Sequence, residues 1–133
     1  MIAALLALSL QAAPPMVVVD EKDVMKREAV PHGAIGMSTA WRITDAVPGR
    51  TFEFRRRALD KGAAIGLHVL AHDEVYYVLA GEGEVDSDGV RRRLGVGMTA
   101  YLYEGANVGI RQTGTRPLSL IVAYPLKARV MAE

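Results

Sequence analysis

Residues 68 to 85 read HVLAHDEVYYVLAGEGEV. His68 and Glu74 form the kind of imidazole–carboxylate couple that holds a divalent metal or passes a proton. They flank a turn, Ala71-His72-Asp73, so neighbouring strands can aim both side chains into one interior. His72 is a further imidazole able to join a metal held by that couple, although a turn position also suits a ring facing water. His32, in VPHGAIG, precedes a glycine-rich turn and is assigned to a surface loop. The sequence has no cysteine, which excludes disulfides, a thiolate nucleophile and a Cys-type zinc site. Gly81-Glu82-Gly83 follows a strand but opens no helix, so it is not a dinucleotide fingerprint.

Those residues need a rigid frame, and the rest of the chain reads as β. With 133 residues, half of them hydrophobic, one domain with its own core is expected. Sixteen Lys and Arg against fifteen Asp and Glu leave a formal charge of +1, so neither a nucleic acid nor a membrane is expected as partner. The triplets Arg55-Arg56-Arg57 and Arg91-Arg92-Arg93 are read as solvated strand faces. Strands are predicted at 16–20, 38–44, 51–59, 64–70, 74–80, 83–87, 91–94, 99–103, 107–112 and 118–124, with one short helical turn at 21–27. VDSDGVRR carries an Asp-Gly hairpin signal. Many short strands with turn residues between them predict a sandwich or closed antiparallel barrel.

The N-terminus is separable. An apolar run at residues 2–10 is followed by Ala12, Ala13 and Pro14-Pro15, which fits a secretory signal and a periplasmic or secreted protein. No Lys or Arg precedes the run, and the alternative is a cytoplasmic protein starting at Met16. In either case residues 1–15 carry no chemistry, and the domain is placed at 16–133.

GAAIGLHVLAHDEVYYVLAG, from Gly62 to Gly81, resembles the first motif of the cupin superfamily: Gly, five residues, His-x-His, three residues, Glu, six residues, Gly. Leu70 stands at the second histidine. GMTAYLYEGANVGIRQ is similar to the second motif, with Gly97 and Gly105 in register, Tyr103 in place of Pro, Val108 in place of His and Gln112 in place of Asn. RPLSLIVAYP resembles the closing strand of the family. The resemblance implies a single-domain, all-β jelly-roll barrel (a double-stranded β-helix), its motif-bearing part at about 55–124.

It also implies a metal held by three His and one Glu, and here Leu70 and Val108 offer no lone pair at two of those places. The remnant, His68 and Glu74 with His72 as a candidate third ligand, is expected to require no cofactor and to hold Fe, Mn, Ni or Zn weakly at most. His68 and Glu74 are also the candidate catalytic pair. Alternation places Leu70, Tyr76, Val78, Val108, Ile110 and Gln112 around a small-molecule pocket. Arg56, in phase with Phe52 and Phe54, either enters that pocket or snorkels to solvent. Tyr101 or Tyr103 is placed at the mouth. A homodimer is expected, covering the outward residues Val75, Tyr77 and Leu79. Three functions stay open: a small-molecule-binding module, a divalent-metal isomerase or dioxygenase, and a metal-free epimerase-like enzyme using His68 and Glu74.

Overall fold

The computed structural model describes residues 12–33 and 35–127, so most of the expected signal segment lies outside the described residues. A 3-10 turn at Glu21–Asp23 precedes β1 (Met25–Ala29), β2 (Met37–Trp41), β3 (Phe52–Leu59), β4 (Ala64–Val69) and β5 (Glu74–Ala80). Then come β6 (Glu82–Ser87), β7 (Val90–Leu94), β8 (Thr99–Leu102), β9 (Asn107–Thr113) and β10 (Leu118–Pro125). They form two antiparallel sheets, β1-β2-β3-β10-β5-β8 and β4-β9-β6-β7, a jelly roll with its core between them. Leu59, Tyr76, Val78, Val85, Val108, Leu118 and Leu120 fill that core.

Short-range chemistry explains the turns. Between β6 and β7, Asp88 at φ 51° and Gly89 at φ 84° both adopt the left-handed region that a two-residue hairpin requires. The turn so formed is then anchored to β9, where the Asp88 Oδ1 accepts from the Asn107 amide at 2.8 Å and the Asp88 amide donates to the Asn107 carbonyl at 2.9 Å.

Two sequence expectations fail at the N-terminal edge. Residues 16–20 form no strand, since Val17 and Val18 are exposed and pair with no sheet edge. The predicted helical turn at 21–27 is confined to Glu21–Asp23, where the Asp20 carboxylate caps the Lys22 amide. From Met25 the chain instead joins the sheet, pairing Arg27 with Thr39, and Arg27 grips Asp60 through two hydrogen bonds of 2.7 and 2.8 Å.

Gln112 is buried and fully used. Its Nε2 donates to the carbonyls of Thr113, Gly114 and Arg116, and its Oε1 accepts from the Gly62 amide at 2.8 Å. It therefore ties the β9–β10 connection to the β3–β4 turn and is no handle for a ligand, contrary to the pocket expected from alternation. Gln112→Leu leaves several backbone groups unpaired and is expected to destabilise the fold by roughly 2–3 kcal/mol in urea titrations.

Candidate functional site

A cleft of about 100 Å³ opens between the two sheets. Its walls carry Arg55 and Arg57 from β3, Ile65 and His68 from β4, Glu74 and Tyr76 from β5, and Val122 and Tyr124 from β10. Arg42 follows β2, and Pro31 and His32 close one side from the β1–β2 loop. Ile65 and His68 would face opposite ways on a regular strand. The pairing of β4 with β9 shifts register between them, and this bulge turns both toward the cleft.

His68 is thus brought to Glu74's cavity as the sequence predicted, but its neighbour is unexpected. His32, assigned from sequence to a surface loop, stacks on His68 with ring centroids 3.8 Å apart and planes 6° from parallel. The His68 Nδ1 contacts the Gly66 carbonyl at 2.9 Å, which orients the ring. Burial, with His68 and Arg57 adding to it, holds the His32 imidazole below its usual pKa. His72 packs behind the cleft wall, against Tyr124. Its ring stacks on Tyr124 at 4.1 Å and its Nδ1 contacts the Asp73 carbonyl, so the turn histidine is packed rather than free in water.

Glu74 is 6% exposed, and its Oε2 has no hydrogen-bond partner among the described residues. Burial raises its pKa, opposed by the neighbouring His72 and His68. Tyr76 beside it is pushed well above the ordinary tyrosine range, chiefly by burial and then by the Glu74 charge.

Arginine supplies the other half of the wall, in a phase the sequence reading reversed. Phe52 and Phe54 are exposed, and Glu53, Arg55, Arg57 and Leu59 face inward. Arg56 is among the residues lining the cleft, but its guanidinium turns away from it, lying 3.9 Å from the Trp41 ring centroid and bonding Ser119 and Glu21. The missed signal is Leu59: an apolar residue of 0% exposure whose odd-numbered phase carries Arg57, Arg55 and Glu53 inward with it. Inside, Arg57 bonds the Ser38 hydroxyl at 2.9 Å and pairs with Glu28 at 3.2 Å, while Arg42 binds the same Glu28 carboxylate. Glu53 is gripped by Arg50 and Arg55, and Asp45 also pairs with Arg55.

The remaining pocket expectations divide. Tyr76 lines the cleft, but Leu70, Val78, Val108 and Ile110 are packed into the solid core. Tyr101 is on the outside, where its hydroxyl donates to Asp73 at 2.6 Å, so it is not at the mouth. This bond and the Glu104 amide, 2.9 Å from the other Asp73 oxygen, pin the β4–β5 turn to the β8–β9 turn.

A metal is poorly served here. Val108 is the cross-strand partner of His68, so an aliphatic side chain occupies the place of a ligand on the same face. Among the described residues no three His, Asp or Glu side chains group closely enough to hold an ion. His68, Glu74 and His72 therefore do not make the metal set considered from sequence.

The two-sheet antiparallel jelly roll with a site between its sheets defines the class. The family model described as "Cupin domain" matches residues 55–124, and the chain belongs to the cupin family. No curated protein matches the sequence. Among solved structures, a predicted oxalate decarboxylase from Thermotoga maritima is 24% identical with a TM-score of 0.74, covering 84% of this chain and 100% of that one. The polyketide cyclase RemF from Streptomyces resistomycificus is 21% identical with a TM-score of 0.73, covering 85% and 81%. An RmlC-like cupin from Shewanella frigidimarina is 21% identical with a TM-score of 0.65, covering 86% and 95%. At these identities the likeness is one of fold.

Proposed function

We propose that this cupin domain binds a small polar molecule in the cleft between Glu74 and the loop bearing His32. One observation carries the reading: the buried Glu74 Oε2 lines the cleft without a partner among the described residues. An unsatisfied buried polar oxygen costs about 1–3 kcal/mol, which a bound donor recovers. The test is a thermal-shift screen of small hydroxylated and carboxylated compounds against the native protein and Val122→Trp, which fills the cleft. Compounds that stabilise both proteins equally would contradict it.

A second reading, metal-free acid–base chemistry by His68 and Glu74, is favoured by the raised Glu74 pKa beside an imidazole. In that case Glu74→Gln abolishes turnover and leaves ligand affinity largely intact. The same variant checks the electrostatics. A raised carboxyl pKa contributes stability that is complete below the ordinary carboxyl range and lost as pH rises through the folded value. Glu74→Gln is therefore expected to melt a few degrees above the native protein at neutral pH and to show no such gain in acid.

The homodimer belongs to this reading too. Phe54 pairs with Ala123, Ala123 with Val75 and Val75 with Tyr101, giving an apolar row across the outer face of the larger sheet. Phe54, Tyr77, Leu79 and Tyr101 on that face are exposed. Light scattering is expected to give twice the chain mass, and a monomer at high micromolar concentration would exclude the dimer.

A further inference from the structure

The guanidiniums at the cleft outnumber the carboxylates that serve them. Glu28 is the shared partner of Arg42 and Arg57, and Glu53 is the shared partner of Arg50 and Arg55. Asp45 is the remaining acid of the network, bound to Arg55. Four guanidiniums thus share three carboxylates in direct ion pairs, one fewer than one-to-one pairing needs, while burial biases Glu74, the carboxyl that lines the cleft, toward its uncharged form. Three of the four, Arg42, Arg55 and Arg57, line the cleft, whereas Glu28, Glu53 and Asp45 do not. Glu74 makes no ion pair among the described residues.

The surplus has a definite place. Glu28 gives Arg57 a single carboxylate oxygen, the same oxygen that Arg42 uses. Arg57 is 8% exposed, so its guanidinium is held largely out of water while sharing that one oxygen. A buried cation with half a counter-ion is stabilised by any anion that reaches it. The space limits what can. A cavity of about 150 Å³ holds a benzene ring, so 100 Å³ admits a group of about four to five heavy atoms.

We propose that the cleft is an anion seat for the carboxylate of a small organic acid, with Arg42 and Arg57 as the binding guanidiniums. This rests on the reading of the cleft as a small-molecule site and names its ligand class. A planar carboxylate matches the guanidinium fork, and a single negative charge matches the single surplus. The unpartnered Glu74 Oε2 leaves room in the same cleft for a hydroxyl on the acid, which makes a 2-hydroxy acid a suitable probe.

Calorimetric titration with glycolate, its neutral isostere glycolamide and inorganic phosphate tests the assignment. Glycolate is expected to bind one site per chain at least about tenfold more tightly than glycolamide, since a charge-assisted hydrogen bond contributes that much. Arg42→Gln removes the surplus charge and leaves Glu28 matched to Arg57, so it should bring glycolate affinity down to that of glycolamide. Arg42→Lys keeps the charge and should retain a preference for glycolate, which secures the test if the Gln variant fails to fold. Glycolamide binding as well as glycolate, or phosphate binding better, would overturn the carboxylate seat while leaving small-molecule binding in place. Binding of no probe, or binding unchanged by Val122→Trp, would overturn both.

Discussion

Leu70→His combined with Val108→His is expected to bind Ni²⁺ or Zn²⁺ orders of magnitude more tightly than the native chain. Val108 stands opposite His68 across the β4–β9 ladder, and Leu70 follows His68 by two positions on the same face. Both new imidazoles therefore enter the layer that holds His68 and Glu74. From sequence alone the change looks mild, because a metallated histidine is a satisfied polar group. The structure raises the cost of the metal-free form: Val108 is 0% and Leu70 3% exposed, both in the core cluster. Burying two unpaired imidazoles there should destabilise the apo variant by roughly 2–5 kcal/mol. The variant should accordingly melt well below the native protein in EDTA and recover most of the difference with one equivalent of Ni²⁺. A native protein that already retains one ion per chain after dialysis, or a variant whose melting ignores Ni²⁺, would show that these positions do not complete a site.

Gly81→Ala is expected to destabilise the whole barrel by about 3 kcal/mol, lowering the melting temperature by roughly 10 °C. Gly81 adopts φ +74°, and a Cβ there would lie 2.2 Å from the Pro117 carbonyl oxygen. Both atoms belong to backbone that joins β5, β6 and β10, so neither can withdraw without breaking strand pairing. Gly66→Ala is a useful contrast. Its Cβ would come within 1.8 Å of the His32 carbonyl oxygen, a closer clash, but against a loop. Residues 31–33 belong to no strand, so that variant should separate the His32–His68 stack and widen the cleft with a smaller loss of stability. If Gly81→Ala melts like the native protein, the strand junction is less constrained than its geometry implies.

Acid should act in the opposite sense to Glu74. The Arg42 hydrogen bond lowers the Glu28 pKa against the effect of burial. For Glu53, burial is the largest influence and raises the pKa, but Arg50 and Arg55 together outweigh it and the net shift is downward. Their contribution is present above the ordinary carboxyl range and lost as pH falls through the depressed values.

What the sequence by itself determined is local or carried by fixed spacing. Strand runs from Phe52 onward, the Asp88-Gly89 hairpin and the two glycine-bounded motifs were legible because each depends on neighbours a few residues away. His68 facing Glu74's cavity followed from the same register. The facing of β3 did not, because Phe52 and Phe54 looked like core, and the choice was made by Leu59 packing inside and by acids that arrive from β1 and the β2–β3 loop. His32 reached the cleft because its backbone rests on Gly66, more than thirty residues away, where the absence of a side chain admits the loop. The inward arginines and the stacked imidazoles are long-range contacts, and only the closed sheets bring their partners together.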